Sequence, residues 1–213
     1  MMSAWMTTKA WAGAIASLLL LACVSVAQEP RSAMELRELS AGVSYLRPGL
    51  GDFDVYRDGW GAELQYRWWF HEVHGLALSI GAERWDTAGD SSDWGAPASG
   101  SLSLWTVGLS WVGLLYEDRA NTWTVEAGLR YHVADSDVRI RVGERDFKVD
   151  IDNGLTSLVA FGYERRLSES VSAAVALSYQ ADLSTGDASF EGHRLRSNKL
   201  EAWGLQLGVR RRW

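Results

Sequence analysis

Residues 201–213, EAWGLQLGVRRRW, set Trp203, Leu205, Leu207, Val209 and Trp213 on one parity and Gly204, Gln206, Gly208, Arg210 and Arg212 on the other. A period of two belongs to an extended strand whose faces meet different surroundings. Three more segments repeat it. Trp60, Ala62, Leu64, Tyr66, Trp68 and Phe70 oppose Gly61, Glu63, Gln65 and Arg67. Trp123, Val125, Ala127, Leu129, Tyr131 and Val133 oppose Thr124, Glu126, Gly128, Arg130 and His132. Val171, Ala173, Val175, Leu177 and Tyr179 oppose Ser172, Ala174, Ala176, Ser178, Gln180 and Asp182.

Weaker alternation covers 37–47, 75–85, 101–115 and 153–166, which brings the expectation to eight strands. Each is long enough to cross a bilayer core, which takes roughly 9–11 tilted residues. The connections alternate as well. His71–His74, Tyr116–Asn121 and Leu167–Ser170 are short; 48–58, 86–100, 135–152 and 184–198 are long. An up-and-down barrel with turns at one end and loops at the other produces this order.

Cost decides which face meets lipid. Glu38, Glu63, Glu83, Glu126, Glu164, Arg67 and Arg130 would each be penalised there, by roughly 2–4 kcal/mol for an Arg at mid-depth. Seven such terms rival the stability of a whole domain. The charged face is therefore expected to line the lumen, the Val/Leu/Trp/Tyr face to meet lipid. A water-soluble, lipocalin-like barrel also alternates, but its solvent face would carry large polar residues at nearly every position. Here that face is rich in Gly, Ala and Ser, which suit a narrow lumen. The fold expected is an all-β, eight-stranded antiparallel transmembrane barrel.

Composition agrees only after this step. The 213 residues carry a formal charge of −6, which offers no electrostatic reason to expect nucleic acid. Mean hydropathy is close to zero because each strand sums two faces. The 12 Trp are an excess for a soluble chain of this size, and Trp collects at membrane interfaces. Trp60, Trp68, Trp105, Trp111, Trp123 and Trp203 are expected in an interfacial girdle. Residues 1–27 read as a cleaved secretory signal: Lys9, an apolar stretch around Leu18–Leu21, and Ser25-Val26-Ala27 at the exit. The barrel domain then spans 28–213. An uncleaved N-terminal anchor and lipidation at Cys23, after Leu20-Leu21-Ala22, are the alternatives.

On these residues the chain resembles the small eight-stranded outer-membrane barrels, the OmpA transmembrane domain and the OmpX/Ail type, over residues 33–213. Gln206, Gly208 and the terminal Trp213 resemble that family's assembly signal, with Arg211 standing where a hydrophobic residue is usual. The resemblance implies a bacterial outer-membrane location, with loops extracellular and both termini periplasmic. It also implies insertion by the barrel-assembly machinery and contact with outer-membrane lipid and lipopolysaccharide. With the eighth strand last in the sequence, no peptidoglycan-binding domain is expected, unlike full-length OmpA. A monomer is expected.

The chemistry-bearing groups are few. Glu38, Glu63, Arg67, Glu83, Glu126, Arg130, Glu164 and Arg210 are expected to form a lumen ion-pair network, with a narrow conduit as the competing reading. His71 and His74 lack the i, i+4 spacing of a zinc-protease helix. Asp150-Ile151-Asp152-Asn153-Gly154 lacks the closing Glu of a calcium loop. His193, Ser197 and Glu201, or His132 and Asp135, are the residues a lipid A-modifying enzyme would draw on, but no compact signature joins them. No cofactor, metal or catalytic group is therefore assigned. A turn at Gly143-Glu144 should set Arg141 opposite Asp146 and Ile140 opposite Phe147, with a bulge at Asn153–Gly154 restoring parity. The function expected is structural or surface-interacting (membrane integrity, adhesion or lipopolysaccharide contact), with a small channel as the alternative and an enzyme third.

Overall fold

The computed structural model describes residues 36–48, 56–87, 90–91, 96–148, 151–183, 188–190, 193–195 and 201–213. The signal segment 1–27, Cys23, Asp150 and Ser197 lie outside them. Eight long strands are present: β1 Leu36–Pro48, β2 Tyr56–Trp69, β3 His74–Thr87, β4 Ser101–Glu117, β5 Asn121–Ser136, β6 Gly154–Arg166, β7 Val171–Asp182 and β8 Glu201–Arg212. Each pairs antiparallel with the next, and β8 pairs with β1, so the sheet closes into a barrel.

The eight expected segments are these strands, with ends displaced by a few residues. Short turns follow β2, β4 and β6; long connections follow β1, β3, β5 and β7. In the first short turn the amides of Phe70 and His71 both donate to the carbonyl of His74. In the second, the Asp118 carboxylate accepts from the side-chain amide of Asn121 at 3.0–3.1 Å and from the backbone amides of Ala120 and Asn121 at 2.7 Å. Those donors, the Asn121 side chain first, pull the Asp118 pKa from 3.8 to about 2.

The faces sort as cost requires. Leu64, Leu78, Ile80, Val107, Leu109, Leu129, Leu177, Leu205, Leu207 and Val209 are all exposed outward. Small residues inside let strands and side chains share a narrow bore. At the closing seam Gly42 faces Gly208. A Cβ on Gly208 would sit 2.6 Å from the Ala41 carbonyl oxygen and 3.1 Å from the Gly42 Cα. The glycine is there because backbone occupies the space a side chain would need.

Above the long-loop rim a hairpin extends the wall. Arg139 pairs with Lys148, Ile140 with Phe147 and Arg141 with Asp146, and the Arg141 Nε donates to Asp146 Oδ1 at 2.7 Å. Gly143 opens the turn at φ +65°, a conformation cheap only for glycine. The expected change of parity is present, and it falls on the descending side, where sequence placed it. His132, Ser136, Val138 and Ile140 are all buried, so the ascending side alternates unbroken, while the inward descending residue is Gly154 opposite His132 but Phe147 opposite Ile140. At that break Asn153 offers its side-chain Oδ1 to the Ala134 amide at 2.9 Å. A side-chain acceptor thus stands in for a backbone one and lets the descending strand stay short.

Two outcomes follow from these details. Gly208→Ala should lose about 1–3 kcal/mol by overpacking, read as a lower urea midpoint for the barrel in lipid vesicles; an unchanged midpoint would mean the seam yields freely. Because its folded pKa is depressed, Asp118 stabilises the turn fully above pH 3.8 and loses that effect as pH falls through about 2. The gap in urea midpoint between wild type and Asp118→Ala should therefore be present at neutral pH and closed below pH 2.

Candidate functional site

The lumen holds the charged residues. Glu38, Arg67, Glu83, Glu126, Glu164 and Arg210 are buried, and Glu63 and Arg130 are nearly so. They form two groups along the barrel axis.

The group nearer the short turns centres on Arg67. Its Nη1 lies 3.5 Å from Glu38 and 3.3 Å from Glu164, and its Nη2 lies 3.8 Å from Glu126. Arg210 pairs with Glu164 and stands 3.7 Å from Glu38. Arg212 reaches Glu38 at 2.8 Å, Glu117 at 3.1 Å and Glu164 at 3.6 Å. Arg166 holds the other side of Glu117 at 3.1 Å. Glu38, Glu117, Glu126 and Glu164 are thereby matched by Arg67, Arg166, Arg210 and Arg212. Gln65 braces this group, donating to Glu126 at 3.1 Å and accepting from Arg67 at 3.2 Å.

The second group is smaller. Arg130 pairs with Glu63 and lies 3.8 Å from Glu83. Gln206 donates to Glu63 at 3.5 Å and Gln180 to Glu83 at 3.4 Å. A cavity of about 70 Å³ lies at mid-height among Gly42, Ala62, Glu63, Glu126, Arg130 and Gln206, enough for only a few waters.

Apolar side chains close the long-loop end. Trp85 is 1% exposed and packs with Leu46, Tyr56, Leu102, Leu104 and Ala202 of the wall and with Ala98, Val138 and Ile140 from the loops. At the short-turn end Trp69 packs with Ala77, Val112 and Leu114, and the Arg67 guanidinium lies 5.7 Å from its ring centre. Trp69 and Trp85 are therefore inside, whereas Trp60, Trp105 and Trp203 face outward near the long loops and Trp68 and Trp213 near the short turns. Trp111 and Trp123 are half-exposed, beside His74 at 5.5 Å and Tyr163 at 4.6 Å.

Three members of the network were not assigned from sequence. Arg212 and Arg166 share parity with Arg210 and Glu164, so the signal was available. Glu117 has the wrong parity for β4. A register shift between Leu114 and Tyr116 turns it inward, and nothing in the local sequence announces that bulge.

Among the described residues the candidate chemical groups do not assemble. His132 is buried in the lumen while Asp135 is exposed on the outer face; an odd separation along a strand forces that. Glu201 is half-buried at the rim. His71 and His74 stack across the first short turn at 5.5 Å. Among the described residues no group of three or more His, Cys, Asp or Glu is placed to hold a metal ion.

A family model described as Gram-negative porin matches residues 32–185, well over half the chain. The chain belongs to the Gram-negative porin family. Its place is the outer membrane.

Curated protein sequences gave no match. Solved structures share the fold. The attachment invasion locus protein Ail of Yersinia pestis, in complex with the heparin analogue sucrose octasulfate, is 15% identical, with 84% of this chain and 100% of Ail covered at a TM-score of 0.51. Neisserial surface protein A is 13% identical, with 83% and 95% covered at 0.51. The outer membrane protein AlkL in lipid bilayers is 14% identical, with 88% and 94% covered at 0.52. For a porin-family chain with only eight strands the bore is just wide enough for side chains to fill, whereas 16 to 18 strands leave an aqueous channel.

Removing one partner of a buried charged group strands the others. Glu38→Ala and Glu164→Ala should each cost about 3–5 kcal/mol, measured by urea unfolding in lipid vesicles. The exposed pair should behave differently, and Arg141→Ala should leave the midpoint in place. Equal losses at the two sites would mean that the lumen pairs are as solvated as the surface one.

Proposed function

We propose that the chain is a sealed outer-membrane barrel with a structural and surface-interaction role, its long loops outside the cell and both ends of the barrel in the periplasm. One observation carries this reading: two closures of different chemistry stand in series in the lumen. The Trp85 layer excludes water at the long-loop end, and the arginine–glutamate network fills the bore beneath it. A hydrated ion entering from either side meets an apolar constriction or a side-chain lattice, and apolar constrictions block by dewetting.

The exported, monomeric state fits this reading. Residues 1–27 serve as the export signal, and Gln206, Gly208 and Trp213 as the recognition end for the assembly machinery. A closed barrel also leaves no strand edge for a second copy to pair with. The outward Trp60, Trp105 and Trp203 at one rim and Trp68 and Trp213 at the other are read as interfacial girdles. Work then falls to the surface. Arg139 and Arg141 stand exposed on the outer face of the hairpin whose inner Ile140 is buried in the seal. Ail, of the same fold, is an attachment and invasion protein, a role that needs loops and no pore.

The small-channel reading gains only from the mid-height cavity and the family's description. In planar bilayers the wild-type barrel should carry no steady current. Trp85→Ala alone should stay closed because the network remains, and Arg67→Ser alone because the apolar layer remains. The double variant should conduct. Steady current through the wild type would replace the sealed reading with the channel.

A further inference from the structure

The wall's outward positions next to the long loops are not alike around the barrel. β1 carries Arg47 there and β3 carries Arg84, both exposed. On β2 the register shift between Tyr56 and Gly59 turns two successive residues, Arg57 and Asp58, away from the lumen. On β4 to β8 the corresponding residues are Ser103, Asp135, Leu155, Ala181 and Glu201. The outward arginines of this rim thus occupy three consecutive strands, and among the described residues the other five strands bear none there. The hairpin cations Arg139 and Arg141 stand above the wall.

An outward arginine near the interface is tolerated at about 0–1 kcal/mol, and snorkelling to water would explain one anywhere on the circumference. It does not explain their confinement to one sector, nor their neighbours. Arg84 lies across from Trp60, and Arg47 across from Trp203. Trp60 is 64% and Trp105 66% exposed, rings that sit at headgroup depth in a membrane. Below Arg84 the outward Ala62 and Ala82 lie side by side, between Val43 and Trp105, which leaves a shallow channel in an otherwise bulky apolar wall.

We propose that this sector binds the phosphorylated headgroup of lipid A, the glycolipid of the outer leaflet, with Arg84 and Arg47 on its phosphates and an acyl chain over Ala62 and Ala82. The guanidinium fork matches phosphate oxygens. Two phosphates at opposite ends of one disaccharide suit two arginines held two strands and two residues apart, about 12 Å between their backbone positions. Asp86, 3.7 Å from the Arg84 Nε, and Asp58, which accepts the Tyr45 hydroxyl, temper the positive charge. They set the sign of one test. The assignment rests on the proposed orientation, long loops outward.

The experiment titrates bisphosphoryl lipid A into phosphatidylcholine nanodiscs carrying the barrel and reads the fraction still folded at a fixed high temperature on unboiled gels. Wild type should be protected, since a ligand that binds only the folded state stabilises it. Monophosphoryl lipid A should protect less. Arg84→Gln with Arg47→Gln should move the midpoint up about tenfold or more, Arg84→Lys should fall between, and Asp86→Asn should move it down. Arg165→Gln, on the opposite rim, should leave it in place. An unmoved midpoint in the double Gln variant, or equal protection by phosphatidylglycerol, would overturn the site. Orientation is tested apart: a tag inserted at Gly143–Glu144 that antibody cannot reach on intact cells would remove that reading, while nanodiscs expose both rims and still report the site. Steady conductance would remove the sealed lumen and leave the titration unchanged.

Discussion

A strand that crosses hydrocarbon must hand each backbone N–H and C=O to a neighbouring strand, because no water is there to take them. An open sheet fails that requirement at its two edges. The pairing of β8 with β1, from Glu38/Arg212 to Pro48/Ala202, removes them. Closure then dictates the rest: with one face turned to lipid and the other to a bore, every second residue is committed to one of two environments. Gly42 and Gly208 meet where that closure brings two backbones together.

Charge follows from the same constraint. Ionised groups barred from the lipid face must go inside, and a bore of eight strands holds little water to solvate them. They persist by solvating one another. Glu38 receives Arg67, Arg210 and Arg212 from both of its neighbouring strands, while Glu164 draws on the same three guanidiniums from across the bore. The network therefore couples β6 to β1, β2 and β8, to none of which a backbone ladder connects it. It also raises the penalty for a slipped seam, since a one-residue shift of β8 would turn Arg210 and Arg212 to lipid.

Much of this was legible because alternation is local. The two faces of β2, β5, β7 and β8, the inward set of charges and even the Arg141–Asp146 pairing of the hairpin follow from parity and turn chemistry. What parity could not reach were places where it changes. Glu117 is inward only because the chain slips one place between Leu114 and Tyr116. Beside the hairpin the Asn153-Gly154 pair did mark the change, and there the Asn153 side chain replaces a backbone acceptor for the Ala134 amide. Aromatic count alone assigns no role. A Trp that belongs to a girdle and a Trp that fills a bore differ only in parity, and Trp69 and Trp85 sit on the inward one. Which strand's loop returns to cover the lumen, as Val138 and Ile140 do, is a tertiary fact with no local signature.

The two ends of the bore differ in a way that lowers the energetic burden of sealing it. Toward the short turns the network reaches the surface, where Arg166 and Glu117 retain 33% and 15% side-chain exposure, so its outermost charges keep part of their hydration. Toward the long loops the chain of charges stops at Glu83, and Trp85, Leu102 and Leu104 begin. An apolar layer can be fully dehydrated at no penalty, whereas an ion pair in the same place would lose both waters and counter-charges. Placing charge where water enters and hydrocarbon where it is excluded closes the bore while its outermost ion pairs stay at the hydrated end. A barrel sealed in this way has spent its interior on stability, and what remains for recognition is the outer wall and the loops.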